Sequence, residues 1–329
     1  MSAISTPAAS ENALSLAANA RRPADGSHVV GIDLGGTKIL GGIADGSGEV
    51  LATLNEPTAH GQGAPVLAQM ARLVQDLAAR AGIAVSDVRQ VVIGVPGAVS
   101  PSTGLASLSP NLELPEGRPL AALMAERLPC PVIVENDVNL AAYAEASAGA
   151  GRGERSLAFV SFGTGVGMGL VLSGELIRGE FGRAGEIGYL PVGAEPHARA
   201  PKSVNGLFED EVGTLGIRRR YSENGETVAD IFEKAAQGDR EAEGVIDDIA
   251  RTASVGIAAI HSLIDPTLTV IGGGIGSQAR FFDLLKTYLR PLLPFDCRIE
   301  PSRFGSQAGM IGAVMLGLHL TGDAHRRPA

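Results

Sequence analysis

The sequence predicts an α/β protein of two lobes with a cleft between them. Its 329 residues suit about two domains of roughly 100–200 residues each. A pattern of strand, glycine turn, strand and tight turn opens the chain and returns near residue 156, an approximate internal repeat without the short fixed period of a solenoid. After each copy, helical and strand patterns alternate, as in sheets covered by helices.

The first strand lies in HVVGIDLG and ends in glycines; two more lie in KILGGIADGSGEVLATLNE, joined at Asp45-Gly46-Ser47-Gly48. Turn residues between β-rich runs make this a three-strand antiparallel meander. Residues 64–81 place Val66, Met70, Leu73, Val74 and Leu77 on one helical stripe, and the strand Val91–Val95 follows. A helix around Leu120–Arg127, a strand Val132–Glu135 and a helix from about Asp137 to Ala148 come next. The run SLAFVSFGTGVGMGLVLSGELIRG repeats the meander, turning at Ser173-Gly174, as far as the start of a third strand. Helices are expected at about 204–215, 227–236 and 239–264, a strand at Leu268–Ile271, and helices near 278–290 and 306–319, with a long polar loop at 193–203 around Pro201. Residues 1–28 are expected to be a flexible tail, 29–136 with the C-terminal helix 306–320 a small lobe, and 137–305 a large lobe.

With 45% hydrophobic and 19% charged residues, the composition is that of a globular protein rather than a disordered one. A net charge of −9 argues against a nucleic-acid surface, so an anionic ligand must be met by a local device such as a glycine-rich backbone nest. The 44 glycines supply material for such nests. Cys130 and Cys297 are isolated from each other, which indicates neither a disulfide framework nor a cysteine-rich zinc site, and a reducing cytoplasm is the default location. The apolar stretch Met310–Leu320 is far short of the ~18–20 residues of a membrane span. The tail lacks the positive charge expected ahead of a secretion signal.

Five stretches are candidates for chemistry. Asp33-Leu34-Gly35-Gly36-Thr37-Lys38 turns between two strands; its glycines let backbone N–H groups approach a phosphate, and Thr37 and Lys38 add a hydroxyl and a charge. It is not a Walker loop, because Thr37 separates glycine from lysine and a strand follows. An ordinary hairpin turn is the alternative. Asp33 suits a water-mediated Mg²⁺ contact, since magnesium keeps most of its waters. Gly163-Thr164-Gly165-Val166-Gly167 holds the same place in the repeat, so that two turns could grip a polyphosphate from both sides of a cleft. Gly272-Gly273-Gly274-Ile275-Gly276 follows a strand and opens a helix, where backbone donors favour an anion or nucleotide. As a dinucleotide fingerprint it is degraded, with Ser277 in place of the third glycine. Glu135-Asn136-Asp137-Val138-Asn139 joins a strand to a helix: Asn136 and Asp137 are either helix caps or, at the carboxyl end of a strand, Asp137 is a general base and Asn136 holds a neighbouring hydroxyl. Gly185-Glu186-Ile187-Gly188-Tyr189, with Glu209 beyond it, supplies two carboxylates for a polyol site, or two exposed surface glutamates.

In this order, together with the turn Val95-Pro96-Gly97, these stretches resemble the ROK family of sugar kinases and sugar-responsive repressors, in the actin-like, ribonuclease-H-like superfamily that includes hexokinase-like folds. The resemblance covers about residues 29–320. It implies a two-lobed enzyme with a duplicated meander that transfers the γ-phosphoryl group of ATP, with Mg²⁺, to a hexose or N-acylhexosamine hydroxyl, usually on the sixth carbon. It implies Asp137 as catalytic base and Asn111, Asn136, Asp137, Glu186, Tyr189 and Glu209 as sugar contacts. Gly35, Gly36, Thr37 and Lys38, with Gly163, Thr164, Gly165 and Gly167, match two phosphate loops; Gly272, Gly273, Gly274 and Gly276 match an adenosine loop. A homodimer in the cytoplasm, with no nucleic-acid or membrane partner, is expected.

Two departures stand out. Most members have a zinc-ligating histidine where Tyr189 stands, and three cysteines in the following loop. Here residues 193–208 contain His197 and no cysteine, with Leu207 at the last cysteine's place. No zinc site is therefore expected, and packing is expected to hold the loop. Tyr189 either offers its hydroxyl to the sugar or is a buried tyrosine with a satisfied hydroxyl. The competing functions are a sugar-responsive transcriptional regulator, whose relatives carry a helix-turn-helix that the short tail does not match, and a non-catalytic sugar-binding protein.

Overall fold

The computed structural model describes residues 27–107, 115, 117–222 and 225–324. Residues 1–26, most of the expected tail, and Asn111 lie outside the described residues.

Strands β1 (His28–Leu34), β2 (Lys38–Asp45) and β3 (Val50–Pro57) form the first meander, and helix α1 (Pro65–Arg80) leads to β4 (Val88–Val95). A small hairpin of β5 (Ala98–Val99) and β6 (Ala106–Ser107) precedes α2 (Leu120–Ala125), β7 (Val132–Asn136) and α3 (Asp137–Ala148). The second half repeats this with β8 (Ser156–Phe162), β9 (Val166–Leu172) and β10 (Glu175–Leu176). After α4 (Pro196–Arg199) come α5 (Leu207–Val212), α6 (Thr214–Tyr221), α7 (Val228–Ala236) and α8 (Arg240–Ile264). Then follow β11 (Leu268–Gly272), α9 (Gly273–Gly276), α10 (Ala279–Leu289), β12 (Ile299–Pro301) and α11 (Ala308–Ala324).

The duplication is explicit in the sheets. One has the order β3-β2-β1-β4-β7 and the other β10-β9-β8-β11-β12; in each the first three strands are antiparallel and the last two join in parallel. The expected single helix at 204–215 is two helices, because Gly213 is extended and its N–H closes α5 on the Glu209 carbonyl at 2.8 Å. The strand β12, absent from the sequence pattern, is only three residues long and has no room to show a period.

Strand alternation sorts the core. Val30, Ile32 and Leu34 pack with Met70, Leu73 and Leu77 of α1, while Val29 on the opposite face packs with Met310, Ile311, Val314 and Leu318 of α11. Fully burying each of these side chains is worth about 1.5–3 kcal/mol. In the second sheet Ala158, Val160 and Phe162 face the α5, α8 and α10 side, whereas Leu157 and Phe159 join Leu140 and Tyr143 of α3. Two helices thus lie between the sheets, α11 on the first and α3 on the second, packed along each other. Glycine allows the close approach: a Cβ at Gly31 would stand 2.7 Å from the Met310 carbonyl, and one at Gly312 would stand 1.8 Å from the Leu140 carbonyl.

Candidate active site

Asp33 is the sixth residue of β1 and shares the strand face of Val29 and Gly31, so it points toward α11. Its carboxylate abuts Gly309, where a Cβ would lie 2.7 Å away. Burial pushes the Asp33 carboxyl up to about 6, opposed by the Lys38 ammonium.

The adjoining turn is closed by Gly35 N–H donating to the Lys38 carbonyl at 3.0 Å. Thr58 braces it, its hydroxyl donating to the Gly35 carbonyl at 2.7 Å and its N–H to the Thr37 carbonyl at 3.1 Å. Gly36 is half-buried, and Thr37 and Lys38 are exposed. The second turn has the same length and is also braced by a threonine on its first glycine, though its closing bond is tighter. Gly163 N–H donates to the Gly165 carbonyl at 3.0 Å, and the Gly163 carbonyl accepts both the hydroxyl (2.9 Å) and the N–H (3.0 Å) of Thr214. Thr164 is exposed at the tip. Gly167 lies not in the turn but inside β9, against Val138 of α3.

The glycines after β11 meet this second turn. A Cβ at Gly163 would stand 3.5 Å from the Gly274 nitrogen, filling the gap between two stretches of backbone. Packing alone demands two of these glycines: a Cβ at Gly272 would enter the Phe159 ring and one at Gly273 (φ +83°) the Phe162 carbonyl, while one at Gly276 would press on the Ile271 side chain at 3.0 Å. Gly274 faces open space.

Helix α3 begins with a cap. Asn136 Oδ1 accepts the Asn139 N–H at 2.8 Å, and Asn136 Nδ2 donates to the Gly97 carbonyl at 3.0 Å and to Asp137 Oδ1 at 3.2 Å. The Pro96-Gly97 turn therefore holds the asparagine from the other side. Asp137 is the first residue of the helix, where the dipole favours a negative charge, and also accepts the Val138 N–H at 2.9 Å. Burial pushes its carboxyl up to about 7; the Asp33 carboxylate and then Glu186 add to the rise, against the Val138 hydrogen bond. A helix cap and a buried carboxyl of raised pKa coexist at this junction.

Glu186 and Glu209 are half-buried rather than surface glutamates. Burial is the main cause raising both carboxyls; Arg183 opposes it at Glu186, and the Val166 N–H, donating to Glu209 Oε2 at 2.9 Å, opposes it at Glu209. Tyr189 is 47% exposed, not a buried tyrosine. Partial burial and then the Glu186 and Glu209 charges push its phenol upward, which sets the ring in the field of both carboxylates.

The loop after Tyr189 is held by polar ties as well as packing, a correction to the expectation from sequence. Arg199 at the end of α4 pairs with Glu211 at 2.5 Å, and Ser203 Oγ donates to Asp210 Oδ2 at 2.6 Å while accepting the Gly206 N–H at 2.9 Å. Both carboxylates follow Glu209 directly on α5. These ties engage Asp210 and Glu211, while His197 is exposed. Among the described residues no group of three or more His, Cys, Asp or Glu side chains is placed to hold a metal ion. No helix among them is long and apolar enough to cross a membrane.

Sequence reasoning missed Thr58, Thr214, Gly309, Glu135 as a partner rather than a neighbour, and Arg178. A threonine directly after Gly213 is the one local signal among them.

The family model described as ROK matches residues 29–319. The chain belongs to the ROK family. A β-glucoside kinase of Listeria monocytogenes is 31% identical over 87% of this chain and 96% of its own length. An N-acetyl-D-glucosamine kinase of Salmonella paratyphi B is 32% identical over 88% of this chain and 99% of its own. Among solved structures, a ROK family glucokinase of Streptomyces griseus in complex with glucose and AMPPNP is 27% identical, covers 89% of this chain and 100% of its own, and superposes with a TM-score of 0.74. The fold is the actin-like one of ROK kinases.

Proposed function

We propose that this protein is an ATP-dependent sugar kinase, with Asp137 as the base that takes the proton of a hexose or N-acylhexosamine hydroxyl, that on the sixth carbon. The observation that carries this reading is the position of Asp137: its carboxyl lies in the field of Asp33, at the first glycine turn, and of Glu186, on the polyol side. Relatives that act on β-glucosides and N-acetyl-D-glucosamine, and a glucokinase structure with a nucleotide analogue, support the same chemistry.

In the reaction the sugar oxygen bonds to the γ-phosphorus, the bond from that phosphorus to the bridging oxygen breaks, ADP leaves, and the sugar proton passes to Asp137. Such transfers depend on positioning and charge more than on covalent work by the protein. A pKa near 7 makes Asp137 a stronger proton acceptor than an ordinary aspartate while leaving it largely ionised just above neutrality. Asn136, Glu186, Tyr189 and Glu209 hold the sugar hydroxyls; Asn111 completes the set expected from sequence. The turns at 35–38 and 163–165 face the phosphates and Gly274 the nucleoside. Mg²⁺ suits the hard oxygens of Asp33, which would hold it through water, and would supply charge neutralisation on the phosphates. The lobe division at 136/137, with 306–320 joined to residues 29–136, is supported by α11 packing on β1, β2 and β4 and α3 on β8 and β9.

A coupled ATP assay over a panel of hexoses tests the reading. Asp137→Asn is expected to lower kcat by roughly 10²–10⁴-fold. A wild type inactive on every sugar, or a variant as active as wild type, refutes it.

A further inference from the structure

Glu135 is 5% exposed and stands directly before Asn136 and Asp137 at the end of β7. Its Oε1 accepts the Asn136 N–H at 2.8 Å and Asn139 Nδ2 at 2.9 Å; its Oε2 accepts Arg178 Nε at 2.5 Å. A carboxylate this deeply buried is tolerable only when paired and hydrogen-bonded, and Arg178 supplies the pairing charge.

That arginine comes from the other sheet. It lies two residues beyond β10, at the root of the segment that ends in Glu186. The segment is folded tightly on itself and on the first half: the Arg178 carbonyl accepts the Ala184 N–H at 3.0 Å, and at Gly182 (φ +73°) a Cβ would stand 2.0 Å from the Val99 carbonyl of β5. From Glu135 the contacts continue without a gap. Asn136 N–H and the Asn139 side chain share Glu135 Oε1, the Asn139 N–H binds Asn136 Oδ1, and Asn136 Nδ2 binds Asp137 Oδ1. The guanidinium thus begins a chain of hydrogen bonds through Glu135, Asn139 and Asn136 that terminates on Asp137.

We propose that Arg178 is a positioning residue which, through Glu135, locks the Glu186-bearing segment of the second half to the Asn136–Asp137 junction of the first, so that sugar-holding carboxylate and base keep one geometry. The assignment deepens the kinase reading and rests on it. Without Arg178, Glu135 becomes a buried unpaired charge sharing its hydrogen bonds with the very residues that orient Asp137. A misplacement of this kind acts on the sugar side and spares the nucleotide turns, which make no contact with Arg178 or Glu135 in the chain just described.

The test compares wild type with Arg178→Ala, Arg178→Lys, Glu135→Gln and the Arg178→Ala/Glu135→Gln double variant, reading steady-state constants, sugar affinity by calorimetry, and Tm. Arg178→Ala is expected to lower kcat/KM for the sugar by roughly ten- to hundredfold with ATP KM within about twofold. Guanidinium in solution should restore part of the loss, and Arg178→Lys should retain more activity than alanine. Glu135→Gln, which keeps an Oε1 acceptor, should show the same sugar-side defect, and the double variant should be no worse than either single change. Unchanged sugar kinetics with only a lower Tm, equal loss for ATP and sugar, or additive effects in the double variant each overturn the assignment. A wild type that binds sugar without turnover overturns the kinase reading alone; the positioning role is then judged by whether Arg178→Ala weakens sugar binding tenfold. A wild type that binds no sugar overturns both.

Discussion

The turns that join the first two strands of each sheet have the same length and the same brace. Gly35-Gly36-Thr37 lies between β1 and β2, Gly163-Thr164-Gly165 between β8 and β9, and in each the carbonyl of the first glycine accepts a threonine hydroxyl from a distant element. Register extends the match: Asp33 pairs with Gly94 on β4, and Ser161, its counterpart on β8, pairs with Gly272 on β11. What differs is charge. The first turn is flanked by Asp33 and Lys38, the second by Ser161 and Val166. The duplicated frame therefore provides backbone donors twice but with different charged neighbours: Asp33 and Lys38 at the first turn, on the side where Asp137 also lies, and at the second Glu209, whose Oε2 accepts the Val166 N–H at 2.9 Å.

The electrostatic cost of that asymmetry should be measurable. Asp137 has a folded pKa above its ordinary value of 3.8, so its charged form is disfavoured by folding; the penalty is complete above about pH 7 and relieved as pH falls toward 4. Asp137→Asn, besides losing turnover, is expected to be more stable than wild type at pH 8 by up to about 4 kcal/mol, with the gap narrowing to about 2 kcal/mol at pH 5 and closing near pH 4 in thermal melts. A gap that widens on acidification contradicts it. Making the first turn like the second, Asp33→Ser should reduce kcat by roughly a hundredfold or more. By removing a like charge, the same change should move the acidic limb of the kcat/KM profile to lower pH. The converse, Ser161→Asp, adds a second carboxylate to the turn that Glu209 already meets and should raise the KM for ATP about tenfold while leaving the sugar KM alone, read in the same assay. The smallest effects concern the braces: Thr58→Val and Thr214→Val should each raise the ATP KM a few-fold, for a loss of about 1 kcal/mol apiece. Thr214→Val is expected to be the milder, because its N–H still holds the Gly163 carbonyl.

Much of this arrangement was legible in the sequence where the signal is local. The helix bounds Asp137–Ala148 follow from a strand ending in a capping asparagine, and the meanders from glycine turns between β-rich runs. The β12 strand and the Gly213 break were not legible, since three residues show no period and a single glycine is tolerated in many helices. Among the candidate site residues, the carboxylates were found from their motifs, but the groups that hold them were not. Arg178 and Glu135, like Arg199 and Glu211, pair across loops whose meeting has no sequence period, so composition reads them as ordinary surface charges. Gly167 reads as part of a phosphate turn from its place in the repeat and from the family resemblance, while its lack of a side chain is used by α3.

The approach of Gly312 to the Leu140 carbonyl has a consequence for the chemistry. Leu140 lies one helical turn beyond Asp137, and Gly312 the same distance beyond Gly309, the residue that touches Asp33. Here the absence of a single methyl group acts as a shim, setting how far apart the two carboxylates stand. Even alanine at position 312 would jack that gap open from behind, at a point where the two helices meet and neither carboxylate is touched.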